Sequence, residues 1–234
     1  MAIINYEFSW DTMLTSPLVV TYNISLAIVT NDVFFPIDIR DFREVLAKNG
    51  YQIEPLTKSL PPRPAHFQAS GYFARKNEFV VNIETINNQL GLEGSSSERI
   101  VEAFNELIDI VEKQIQVNLK SNVKFYESIG SYGIQATESA IKQFGLLTNM
   151  IIFNQKIENI LSIPTQLFGL KFCPKNAMPN QIEWFNIDVY PDVLQPNKFA
   201  CNVVFRSKEK DKVDKWVSQD KELIKNIIEV MKLE

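Results

Sequence analysis

Apolar side chains along this chain alternate in some stretches and recur at helical spacing in others, and the resulting elements run through much the same order twice. Residues 17–30 (PLVVTYNISLAIVT) are apolar and β-branched over the length of a strand, which Asn31 and Asp32 close. FPIDIRDFREVLAKNG then places Ile39, Phe42, Val45 and Leu46 at helical spacing, with Gly50 as the stop. YQIEP is a short extended piece and LTKSLPPRP a proline-rich connection. HFQASGYFARKN, EFVVNIET and NNQLGLEG read as strands separated by turn residues. A long helix follows, with Ile100, Val101, Phe104, Leu107, Ile108, Val111 and Ile115 on one face and Glu102, Asp109 and Glu112 on the other.

The second half repeats this succession. NVKFYESIG reads as a strand, ATESAIKQFGLL as a helix, and a helical or irregular segment runs through IENILS to Pro164. TQLFGLKFCPKN, QIEWFNIDVYP and NKFACNVVFRS read as strands. The last helix carries Val213, Trp216, Val217, Leu223, Ile224, Ile227, Ile228 and Met231 on one side. Arg75-Lys76-Asn77 is echoed by Pro174-Lys175-Asn176 at a strand end, and Asn82-Ile83-Glu84 by Asn186-Ile187-Asp188 inside the next strand. Because the echoes fall in the same order as the elements, they predict an internal duplication. Residues 1–120 form the first β-α-β-rich repeat and residues 121–234 the second.

A strand, a helix, several antiparallel strands and a second helix, taken twice, predict an α+β fold in which one curved antiparallel sheet carries helices on one face. The stretch PAHFQASGYFARKNEFVVNIETINNQLGLEGSSSERIVEAFNEL carries a Pro-x-x-Phe strand, a further strand, a strand ending in Gly94-Ser95 and a long helix. In this it resembles one repeat of the TATA-box-binding protein saddle, and the second half resembles the other repeat more faintly. What the resemblance implies is a fold. The family's intercalating phenylalanines and basic underside have no residue-by-residue counterparts here.

Period-two alternation indicates what such a sheet would display. His66, Gln68, Ser70 and Tyr72 share one face of their strand; Val80, Asn82 and Glu84 share one face of the next; Trp184, Asn186, Asp188 and Tyr190 do so in the second half. If helices cover the apolar sets opposite them, the open face presents amides, aromatic rings and carboxylates, a composition suited to interfaces. The expected partner-binding face is therefore His66, Gln68, Tyr72, Asn82, Glu84, Trp184, Asn186, Asp188 and Tyr190.

Charge restricts the partner. The 24 basic and 28 acidic residues of the 234 give a formal charge of −4, which argues against a chain-wide footprint for nucleic acid. The N-terminus has no basic start and apolar run of the signal-peptide kind, and no apolar run is long enough to span a bilayer, so a cytoplasmic protein with no membrane contact is expected. Cys173 and Cys201 are too few and too far apart for a disulfide framework or a CxxC metal site, and both are expected to be buried thiols.

Candidate chemistry changes the picture little. In GLEGSSSERIVEAF the glycines and serines invite a phosphate-loop reading, but GxxxxGK[ST] is not matched because its lysine is missing. Ser95-Ser96-Ser97-Glu98 instead predicts a capping box that starts the helix. His66 is the single histidine, and no nucleophile elbow, HExxH helix or cysteine set accompanies it. Asp38 and Asp41 share a helix face but read as solvated acids, and RSKEKDKVDK reads as a solvated turn and first helical turn. Lys58 to Pro64 (KSLPPRP) fits either a polyproline ligand or a rigid spacer.

The expected function is a non-enzymatic binding or regulatory protein without cofactor or metal. It would engage a protein or ribonucleoprotein partner through the polar-aromatic face or the long helices. One alternative is a nucleic-acid-binding saddle in which Tyr72, Trp184 and Tyr190 stack on bases, against the charge of Glu84 and Asp188. Another is a small-ligand binder or enzyme with a pocket around His66.

Overall fold

The computed structural model describes residues 17–31, 39–54, 70–135, 140, 148–195 and 197–231. Over those residues the elements run β1 (Leu18–Thr30), α1 (Ile39–Lys48), β2 (Gln52–Ile53), β3 (Ser70–Lys76), β4 (Phe79–Glu84), β5 (Gln89–Gly94), α2 (Ser97–Gln114), β6 (Val123–Gln135), α3 (Thr148–Leu161), β7 (Leu170–Phe172), β8 (Trp184–Pro191), β9 (Lys198–Ser207) and α4 (Lys210–Met231). The nine strands form one open antiparallel sheet in the order β2-β3-β4-β5-β1-β6-β9-β8-β7. The fold is α+β, and β1 and β6, the two longest strands, pair along its middle.

Outward from that seam, β5, β4 and β3 lie on one side and β9, β8 and β7 on the other, with β2 added to the first side. Asn82-Ile83-Glu84 and Asn186-Ile187-Asp188 therefore both stand two strands from the seam. The other echo is also local geometry. Asn77 and Asn176 both take a positive φ, 54° and 60°, which asparagine tolerates better than most side chains.

Helices α2 and α4 lie on one face of the sheet. In β1, Ile24, Leu26 and Ile28 alternate inward, and they meet Leu90 and Leu92 of β5 and Phe104, Leu107 and Val111 of α2 in one buried cluster. Phe42 and Leu46 of α1 join it, Phe42 stacking on Phe73 with ring centroids 5.2 Å apart. A second cluster gathers Tyr132, Ile134, Ile187, Val189, Phe199 and Val203 under Ile224 and Ile228 of α4. Trp216 packs against both clusters and stacks on Phe205 at 4.5 Å. Burying each large side chain in this layer contributes on the order of 2 kcal/mol, so the helix faces hold the sheet rather than merely decorate it.

Between the sheet and α4 lies one buried polar pair. Tyr132 donates its hydroxyl proton to Asp220 Oδ2 at 2.5 Å, and a Cβ on Gly130 would sit 2.3 Å from that same hydroxyl. Glycine is required there because the tyrosine ring lies across its backbone. Burial raises the Asp220 carboxyl above its ordinary range, with the Tyr132 hydrogen bond and Lys221 pulling the other way.

Three local expectations change. Residue Ser96 caps α2 with no side-chain hydrogen bond to the backbone, so the capping box does not form. The helix begins one residue later than that motif needs, and Glu98 instead reaches Lys221 of α4 at 2.6 Å. Cys173 is exposed because the strand containing Phe172 stops after three residues; Cys201 is buried, and burial pushes its thiol up to about 12. Arg206 lies in β9, as the strand reading of NKFACNVVFRS has it, so only the part of RSKEKDKVDK after Ser207 is turn and helix. The first strand of the second half continues to Gln135. The expected helix over 136–147 lies outside the described residues except at Ala140, as do Lys58–Pro64 and Asp38.

Candidate binding face

The face opposite α2 and α4 follows from register. Tyr72 pairs with Asn82 and Asn82 with Gly91, while Trp184 pairs with Arg206, Asp188 with Asn202 and Tyr190 with Ala200. Their inward neighbours Ile83, Ile187 and Val189 are buried in the helix-side clusters. Tyr72, Asn82, Glu84, Trp184, Asn186, Asp188 and Tyr190 thus all stand on the face turned away from the helices; His66 and Gln68 lie outside the described residues. These side chains do not converge on one point. Strands β4 and β8 are five pairings apart, which at about 4.8 Å per strand separates the two groups by roughly 24 Å.

On the first side, Glu93 of β5 is the centre. Asn23 of β1 donates to its Oε1 at 2.8 Å and Asn82 of β4 donates to its Oε2 at 2.8 Å, so a carboxylate is fixed across three strands by two neutral amides. Beside it lies a cavity of about 650 Å³ whose walls include Tyr22, Tyr72, Glu54, Arg75, Glu78 and Glu93. Tyr72 is 65% exposed and Tyr22 49%. Glu78 pairs with Arg99 at 2.7 Å.

Tyr22 reaches this face because β1 is bulged. Simple alternation from Ile24 would send Tyr22 and Val20 toward the helices, but the register shifts between Thr21 and Asn23. Past that point Val19 packs inward and Leu18, Val20 and Tyr22 are exposed. The Tyr22 ring then crosses Gly133 of β6, where a Cβ would lie 2.0 Å from its hydroxyl. A second shift, between Tyr72 and Ala74, buries Ala74 and turns Arg75 outward.

Across the seam the polar groups are joined differently. Ser131 donates to Asn202 Oδ1 at 2.9 Å, and Asn202 donates to the Tyr190 hydroxyl at 2.9 Å, again linking three strands. Each carboxylate here has a cation. Arg206 pairs with Glu127, and Lys171 with Asp188 at 3.3 Å. Arg206 also donates to the Pro179 carbonyl at 3.2 Å and lies over the Phe125 ring at 5.1 Å, while Asn186 donates to Asp188 at 3.0 Å.

Sequence reasoning gave no binding role to Glu93, Asn23, Tyr22, Arg75, Glu127, Asn202 or Arg206. Glu93 was readable in QLGLEG, where it alternates with Leu90 and Leu92. Tyr22 was not, because nothing in PLVVTYNIS marks the bulge. Among the described residues no group of three His, Cys, Asp or Glu side chains is placed to hold a metal ion, and no helix is long and apolar enough to cross a membrane.

Fold and face together define a helix-backed antiparallel sheet with an open polar-aromatic surface. No protein-family model matches the chain, and no curated protein matches it in sequence.

Proposed function

We propose that this is a non-enzymatic binding protein that engages a protein, or the protein component of a ribonucleoprotein, through the open face of its sheet. The observation that carries the reading is the spread of that face: fixed amides and carboxylates with aromatic rings lie in two groups roughly 24 Å apart. One small substrate cannot touch both groups, but an extended macromolecular partner can. Aromatic rings supply rigid contact area, and hydrogen-bonded amides are preorganised and lose little freedom on docking.

The same reading includes an origin by internal duplication, with β1, β5, β4 and α2 corresponding to β6, β9, β8 and α4. The mirrored strand order and the two asparagine-centred echoes support it. A superposition of the halves that lays β4 on β8 but sets α2 and α4 in unrelated positions refutes it. Residues 1–120 and 121–234 would then be halves of one sheet without common descent. A nucleic-acid partner fits less well, because Glu84, Glu93, Glu127 and Asp188 all stand where a phosphate backbone would lie.

The test compares partner recovery from native lysate at fixed salt for wild type, Tyr72→Ala, Trp184→Ala, and Glu84→Gln combined with Asp188→Asn, after confirming that thermal unfolding is unchanged. Recovery of one protein should fall in all three. Undiminished recovery in every variant moves the interface to the helix side. Tighter nucleic-acid binding by the double variant alone makes the nucleic-acid reading the better one.

A further inference from the structure

The cavity beside Glu93 has walls of a particular kind. Two partly exposed tyrosine rings, Tyr22 and Tyr72, line it together with three carboxylates and one guanidinium. Glu78 is neutralised by Arg99. Glu54, which follows the edge strand β2, and Arg75 of the adjoining β3 also line the cavity, and Glu93 forms its hydrogen bonds with neither. The two hydrogen-bond donors to Glu93 are the amides of Asn23 and Asn82, which hold the carboxylate in place without cancelling its charge. Each oxygen keeps a further lone pair for another donor.

We infer that this cavity is a subsite for a basic side chain of the partner, an arginine presented on an extended peptide segment, with its guanidinium on Glu93 and its plane against Tyr22 and Tyr72. Arginine suits the walls better than lysine. Its planar, weakly hydrated head stacks on aromatic faces and meets a carboxylate with two parallel donors, whereas an ammonium is a compact, strongly hydrated point charge. Free energy for the contact comes from a charge already desolvated in part and already oriented, so little is spent on ordering the site. The inference deepens the proposed protein-binding role and rests on it for the identity of the ligand.

The test uses the full chain and three glycine-flanked pentapeptides with blocked ends, bearing arginine, lysine or the neutral isostere citrulline. Titration followed by the side-chain amide signals of Asn23 and Asn82 should saturate with the arginine peptide, with affinity roughly tenfold above that of citrulline and above that of lysine. Glu93→Gln should abolish the preference for arginine over citrulline. Tyr72→Ala, at a side chain too exposed to support the fold, should weaken arginine binding about threefold or more. Asp109→Asn, on the outer face of α2, should change nothing. Equal affinity for arginine and citrulline peptides, or an arginine preference that survives Glu93→Gln in a folded variant, overturns the inference. The two proposals fail separately. If partner recovery depends on Trp184 but not on Glu93 and the peptides do not discriminate, the subsite is wrong and the binding face stands. If arginine discrimination is seen while partner recovery ignores the face, the subsite stands and the wider role is wrong.

Discussion

Glu93, on the first side of the β1–β6 seam, is held by two neutral amides; Glu127 and Asp188, on the other side, are each held by a cation. Apart from β2, the strands are equal in number on the two sides of the seam, and both sides run a hydrogen-bonded chain across three strands. What differs is the use of charge. The Arg206–Glu127 pair uses its carboxylate for cohesion, since losing Arg206 leaves a poorly solvated charge at Glu127, whereas Lys171 is an exposed partner that adds little to stability. An amide clamp orients the carboxylate and leaves its charge for something outside. The two sides of one continuous surface thus differ in whether their carboxylates are paired within the sheet.

The largest effects should come from the layer both sides share. Phe104→Ala and Trp216→Ala should each lower stability by about 3 to 5 kcal/mol, because each side chain packs between helix and sheet and its loss opens a cavity. A single cooperative denaturation curve that shifts in both variants shows the halves to be one folding unit; two separate transitions would break the comparison at its root.

Next in size is the seam-side ion pair. Arg206→Gln should cost about 1 to 3 kcal/mol, since it leaves Glu127, whose side chain is 8% exposed, without its cation. Glu127→Gln should cost less, because Arg206 keeps the Pro179 carbonyl and the Phe125 ring. Urea midpoints measured for both variants check the order, and the reverse order would mean that Arg206 serves the surface rather than the fold.

The buried pair beneath the second side makes a pH prediction. Asp220 has its folded-state value raised, chiefly by burial, so the folded chain keeps this proton longer than the unfolded chain does. Its contribution to stability is therefore greatest at low pH and declines as pH rises from the ordinary carboxylate range through the raised value. Asp220→Asn should flatten that part of the stability profile. Tyr132→Phe removes a hydrogen bond to the charged form and should cost about 1 to 2 kcal/mol at neutral pH, a loss that shrinks as pH falls through the raised value. Thermal midpoints taken across the acidic range decide it.

Smallest in stability is Glu93→Gln, with an expected change under about 1 kcal/mol, because the glutamine carbonyl still accepts one amide. A loss as large as that of Arg206→Gln would erase the contrast between the two sides and return Glu93 to a structural role.

Much of the architecture was legible in the chain. Strand alternation placed Asn82, Glu84, Trp184, Asn186, Asp188 and Tyr190 on one face, and the 3.6-residue spacing of α2 and α4 named the buried Phe104, Val111, Val213 and Ile224. Both depend on backbone periodicity, which is a local property. The capping box and the burial of Cys173 did not follow from local pattern. Each turned on where an element stops, by one to a few residues.

Away from the bulges, the sequence by itself determined which side chains turn inward, because a period of two or 3.6 sorts apolar from polar positions before any tertiary contact exists. Only the tertiary structure decided how the outward side chains meet. The bulge that brings Tyr22 over Gly133 is set by pairing with a strand more than a hundred residues away, and Asn23, Asn82 and Glu93 converge only through the order β4-β5-β1. Non-local pairing has no periodic trace in the chain, so neither the clamp on Glu93 nor the cavity beside it could be read from residue order alone.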